Sequence, residues 1–386
     1  MPRSKPAHAA PARGWVAVVV AVVVAAAVAA GVATAVVTTR GGAAASDSHG
    51  TSAGEALGHR ALELLSTTPV ASGSPIPPDS PIYLNFSAPL VATTPLPTIA
   101  PPVDGTWVLS SPTTLTFTPS ASLPPGSTVS LTVPGGSTGV EGEGRMYLSA
   151  SVTWSYTVAP MSTLRVQEIL AQLGYLPLTF TSTDPTPVTA DELALDQPGT
   201  FAWRWSTLPA PFTSMWSQGA ANVITTGAVM AFEADHGLGT DGVAGPRVMA
   251  ALLAADVAGT MSSYGHYDWV DVSTSLPEHV TVWRDGSPIY TTPANTGIEA
   301  APTAMGTWPV YARYTSTTMS GTNPDGSHYD DPGVPWVSYF HGGDALHGFI
   351  RPGYGYPQSL GCVEMPPTNA AAVYPLTPLG TLVTVE

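Results

Sequence analysis

A single cysteine, Cys362, stands in a chain of 386 residues. One thiol cannot form an intramolecular disulfide, so the fold must hold by packing and hydrogen bonding. Lysine is as scarce: Lys5 is alone against eleven arginines. Charged residues make up 10% of the chain, and the net charge is −15. So acidic a chain lacks the basic footprint that nucleic acid requires, and no nucleic-acid partner is expected. His328, His341, Asp344 and His347 fall within twenty residues. Their spacing fits no compact zinc motif, and neither metal nor cofactor is expected.

What is abundant is glycine (38) and proline (40). That composition favours short strands, turns and linkers over long helices. The length allows two to four domains.

Residues 1–40 hold a short basic stub and then an uncharged run of Val and Ala at 15–37. The run is long enough to cross the hydrocarbon layer as a helix, with the basic end inside. A single-pass anchor in the cell membrane is expected, with the remainder extracytoplasmic. Cleavage after Ala43–Ala45, giving secretion to the wall, is the alternative. Residues 41–74 read as a linker, with a short helix at 54–65 and a terminal Pro-rich segment.

Residues 75–159 alternate apolar and polar side chains, as in Ile82, Leu84 and Phe86, then Val129, Leu131 and Val133. Turn signals separate the runs, and a β-sandwich follows. Residues 160–260 change period. Val166, Ile169, Leu170 and Leu173 have helical spacing, and Pro246 is suited to open a helix. A small helical unit is expected, with a stretch rich in Pro, Thr and Trp at about 178–222. Residues 268–386 return to β patterning, with Asp285-Gly286 as a hairpin turn and 319–333 as a polar loop, a lid or substrate cradle.

The only thiol lies in the stretch 345–367, ALHGFIRPGYGYPQSLGCVEMPP. Gly361 precedes Cys362, so a substrate can approach the backbone closely. A cysteine that merely packs would sit in an apolar run; this one is flanked by polar residues and prolines, and is read as reactive. His347 is the candidate proton carrier.

The stretch resembles the signature of the L,D-transpeptidases of bacterial cell walls: His-Gly, a spacer, then Ser-His-Gly-Cys, an aliphatic residue and Arg or Asn. His347-Gly348 matches the first part, and Ser359, Gly361, Cys362 and Val363 match the second. Leu360 replaces the family's histidine, and Glu364 its basic or amide residue. Residues 295–321 and 335–340 extend the likeness. Residues 75–159 resemble bacterial Ig-like domains, and VQEILAQLGYLP with the DGVAGP region resembles the peptidoglycan-binding domain, which implies a small three-helix domain at 160–260 with an insertion at about 178–222.

The resemblance implies a mainly β catalytic domain and a thiolate that attacks a tetrapeptide stem at its third residue. D-alanine would leave, and a neighbouring stem amine would resolve the thioester into a 3→3 cross-link. Water in place of the amine gives an L,D-carboxypeptidase; a degenerate wall-binding protein is the non-enzymatic alternative. The expected partners are peptidoglycan stems and glycan, with carbapenems as inhibitors. The Gly348 carbonyl would orient the His347 ring, and N–H groups of Gly361 and Cys362 would hold the oxyanion. Ser359, Tyr339, His341 and Leu360 would contact substrate. Glu364 is expected to face solvent or Arg351.

Overall fold

The computed structural model describes residues 61–386, apart from Ser72 and Pro185. The expected membrane span at 15–37 lies outside them. Among the described residues, no helix is long and apolar enough to cross a membrane.

The first unit is a β-sandwich. One sheet has the order Leu64–Thr68, Ile82–Phe86, Thr114–Pro119, Gly105–Ser111, and the other Thr98–Ala100, Thr128–Val133, Val152–Thr157. Ile82, Leu84, Phe86, Leu115 and Phe117 pack on Val129, Leu131, Val133 and Tyr156, which is the period-2 pattern closed into a core. The linker boundary needs correction. Residues 64–68 are an edge strand of this sheet rather than the end of a helix. Leu62 is buried in the sandwich core, and that packing outweighs local helix propensity.

Three helices follow. Thr163–Gln172 is capped by Ser162, whose hydroxyl accepts the Arg165 N–H at 2.9 Å, and Gly174 follows it at positive φ. Val223–Asp235 is capped by Asn222, and Pro246–Ala258 opens on its proline. A hairpin, Leu178–Ser182 with Gly199–Trp203, and the short helix Ala210–Thr213 occupy the insertion. Ile169, Leu170, Ile224, Phe232 and Leu252 share one core with Trp269 and Leu382 of the next unit. The backbones touch there: a Cβ on Gly227 would lie 2.6 Å from the Gly380 carbonyl oxygen. The helices are therefore a platform for the C-terminal unit.

That unit is mainly β. A five-stranded sheet runs Ser287–Pro293, His279–Arg284, Asp268–Ser273, Leu382–Val385, Gly306–Pro309. A four-stranded sheet runs Ala312–Thr322, His328–His341, Asp344–Gly348, Val363–Met365. Val270, Val272, Val280, Val282 and Val383 of the first face Phe340, Leu346, Val363 and Met365 of the second. Asp285 and Gly286 both take positive φ, as the primed hairpin turn demands. Residues 319–333 are not a loop but the tip of a long hairpin, with Met319 opposite Asp331 and Thr322 opposite His328. Its turn is confined to Asn323–Ser327, where the Asn323 amide donates to the Ser327 hydroxyl at 3.0 Å. Cross-strand pairing accommodates the polar side chains on faces that need not be buried.

Candidate active site

Parallel strands Asp344–Gly348 and Val363–Met365 place the chemistry. Leu346 pairs with Val363, and both enter the sandwich core. Side chains alternate along a strand, so His347 and Glu364, the next register pair, point to the opposite face. Cys362, two residues before Glu364, is on that face too, packed with Val334, Val337 and Ala345. His347 and Cys362 line one cavity of about 350 Å³, with Leu360, Glu364, Arg351 and the hairpin residues Met319, Tyr329 and Asp331.

His347 is buried, at 2% exposure. Its Nδ1 lies 3.1 Å from the Gly348 carbonyl oxygen, which fixes Nδ1 as donor and leaves Nε2 as acceptor. Burial pulls the imidazole below its ordinary range, against the opposing effects of the Gly348 carbonyl and Glu364. With Nδ1 engaged by Gly348, Nε2 is the nitrogen left to accept a proton.

Cys362 is partly exposed to the cavity. Burial among protein atoms pushes its thiol up to about 12; Asp344 and Glu364 add to this, and the backbone of Ala345 opposes it. The two shifts, thiol up and imidazole down, both favour the neutral forms over a thiolate–imidazolium pair. The thiol donates to the Gly343 carbonyl at 3.6 Å and makes no hydrogen bond to His347.

The loop that carries the thiol is braced from below. Thr296 accepts the N–H groups of Gln358 and Ser359 on its carbonyl, at 2.9 and 3.0 Å. Asn295 and Glu364 exchange backbone hydrogen bonds at 2.9 Å each. Thr296 is itself held by buried Glu278, which accepts its N–H at 2.6 Å and its hydroxyl at 2.7 Å. Nothing in the sequence marks Glu278.

Ser359 is buried rather than substrate-facing. Its hydroxyl donates to the Cys362 carbonyl and accepts the Gly361 N–H at 3.2 Å. The Gly361 N–H is thus engaged, which removes it from the expected oxyanion pair; the Cys362 N–H has no acceptor among the described residues. Gly361 is required for its shape: φ is +116°, and a Cβ would lie 2.4 Å from Asp344 Oδ1.

Leu360 lines the cavity, as an apolar wall. His341 does not; it packs on Trp308, ring centroids 4.4 Å apart, with Asp344 3.9 Å away. The side chain after Phe340 points away from the core, and Trp308 captures it. Tyr339 packs in the small cluster that includes Cys362 and lies 6.2 Å from both Tyr311 and Tyr314, outside the cavity lining. Glu364 meets Arg351, as expected, in a two-bond pair. Asn323, Tyr329 and Asp331 were marked only by the polarity of their stretch. Among the described residues, no group of three metal-ligating side chains occurs.

The L,D-transpeptidase catalytic domain model matches residues 267–385. The bacterial Ig-like domain model matches residues 59–158. An L,D-transpeptidase domain and an Ig-like domain are therefore present, and the cavity lies within the former. Among solved structures, an L,D-transpeptidase from Mycobacterium smegmatis is 15% identical, covers 85% of this chain and 100% of that one, and has a TM-score of 0.29. The NMR structure of the catalytic domain from E. faecium L,D-transpeptidase is 26% identical over 31% of this chain and 95% of that one, TM-score 0.29. L,D-transpeptidase 3 from Mycobacterium tuberculosis, in complex with a faropenem-derived adduct, is 13% identical over 84% and 97%, TM-score 0.29. No curated protein matches the chain.

Proposed function

We propose that the chain is a peptidoglycan L,D-transpeptidase that forms 3→3 cross-links. The observation that carries this reading is the placement of Cys362 and ring-fixed His347 on one sheet face, in one cavity of a matched catalytic domain. Cys362 Sγ attacks the carbonyl of the stem's third residue while its proton passes to His347 Nε2. The Cys362 N–H supports the resulting oxyanion. The C–N bond then breaks, His347 returns the proton to the departing nitrogen, and D-alanine leaves. The side-chain amine of a second stem attacks the thioester, releasing the thiol and forming the new amide. Proton transfer of this kind contributes about 10²–10⁴-fold to rate.

Water as the resolving nucleophile makes the same site an L,D-carboxypeptidase. Leu360 and Glu364, which line the cavity in place of the signature's residues, favour a second reading, a wall-binding protein that has lost catalysis. Incubation of the protein with tetrapeptide muropeptides and mass spectrometry of the products separates the three. Cross-linked dimers support transpeptidation, free tripeptide stems support hydrolysis, and unchanged substrate supports the degenerate reading.

The same proposal places residues 15–37 in the membrane as an anchor, with the described units outside the cytoplasm. The helical unit contacts peptidoglycan, and carbapenems acylate Cys362. N-terminal sequencing that starts near Ser46 would replace the anchor with a cleaved signal.

A further inference from the structure

The charge around the cavity is unbalanced. Among the described residues, Arg351 is the one permanent cation lining it, and two carboxylates, Asp331 and Glu364, line it with Arg351. The side-on fork of Arg351, Nε and Nη2, is closed on Glu364, at 2.7 Å for each bond. A ligand carboxylate would compete with Glu364 for that fork. Asp331 is different. Alternation along the strand turns Tyr329 and Asp331 to the cavity and His328 and Asp330 to solvent. Among the described residues, Asp331 makes no side-chain hydrogen bond and no ion pair.

We propose that Asp331 is the docking carboxylate for a primary ammonium group of the peptide stem, the side-chain amine of its diamino acid, and so sets the site's preference for stems in which that amine is free. The hairpin carries Asp331 above the strand pair that holds Cys362, so the amine enters the cavity that contains the thiol. Met319, opposite Asp331 on the hairpin and also lining the cavity, gives the methylene stem of the amine an apolar surface. The inference rests on the transpeptidase reading for the identity of the ligand. The amine belongs either to the donor stem, whose carbonyl is attacked, or to the acceptor that resolves the thioester.

Titration calorimetry on the full chain carrying Cys362→Ala reads binding without turnover. A tetrapeptide muropeptide with its side-chain amine free should bind about tenfold more tightly than the same compound acetylated there. Adding Asp331→Asn should abolish that difference, and Asp331→Glu should retain it. Equal affinities for the two compounds, or a difference that survives Asp331→Asn, overturn the inference. The source of the amine is read on the intact thiol with an acetylated donor and a free-amine tripeptide acceptor. A raised acceptor KM in Asp331→Asn assigns the carboxylate to the acceptor; an unchanged one, with the calorimetric difference present, assigns it to the donor. Amine-dependent binding without D-alanine release by the wild type would fault the transpeptidase reading and leave the ammonium site standing.

Discussion

Arg351 and Glu364 meet side-on, with Nε and Nη2 of the guanidinium each 2.7 Å from a different carboxylate oxygen. Glu364 occupies the position where the L,D-transpeptidase signature has a basic or amide residue. Arg351, thirteen positions earlier, returns a positive charge to the same cavity wall. The guanidinium also lies over the Phe349 ring, 4.7 Å from its centroid. The unusual glutamate is thus half of a neutral pair in register with His347.

Arg351→Ala should lower stability by about 2–3 kcal/mol, less than for a fully enclosed pair because Arg351 retains solvent contact. Glu364→Gln added to Arg351→Ala should restore part of the loss, since the stranded charge is then gone. Denaturant unfolding of the two variants measures this; equal losses would mean that the pair does not act as a unit.

Alkylation of Cys362 should be slow at neutral pH. The raised thiol keeps its proton as pH climbs past the ordinary cysteine range, so the iodoacetamide rate should still be rising above pH 9. His347→Ala should leave the shape of this profile unchanged, because burial disfavours the imidazolium and no hydrogen bond joins the ring to the thiol. A plateau near pH 7 that disappears in His347→Ala would indicate a resting ion pair instead.

Gly361→Ala combines an L-residue at φ +116° with a Cβ set 2.4 Å from Asp344 Oδ1. The expected result is a loss of at least about 2 kcal/mol and of activity. Asp344→Ala in the same chain should not restore either, because the backbone strain remains. Wild-type melting of Gly361→Ala would contradict the geometry of the loop.

Leu360→His should leave turnover within about tenfold of wild type, roughly 1.4 kcal/mol in barrier height. Leu360 forms a wall of the cavity and transfers no proton. A silent wild type rescued by this substitution would show that the domain lost its chemistry with the missing imidazole.

The fold was legible where burial has a simple period. Ile82–Phe86, Val129–Val133 and the helix Thr163–Gln172 all bury the residues that their spacing marks. Residues 61–65, the described end of the helix expected at 54–65, misled because their Leu spacing suits a helix, while the strand that pairs with them lies some twenty residues away. The signature marked Cys362 and His347, and the structure brings both to one cavity. It did not reveal that Ser359 engages the Gly361 N–H, that Trp308 holds His341, or that Glu278 braces Thr296. Those facts depend on side-chain direction and long-range contact, which spacing does not carry.

The most direct test is chemical trapping at Cys362. The full chain is mixed with a disaccharide tetrapeptide, quenched in acid, and examined by intact mass, peptide mapping and D-alanine release. The expected result is D-alanine in solution and a tripeptide-stem acyl adduct on Cys362, both absent from Cys362→Ala. D-alanine release that persists in Cys362→Ala, or a wild type that yields neither adduct nor D-alanine, would contradict it.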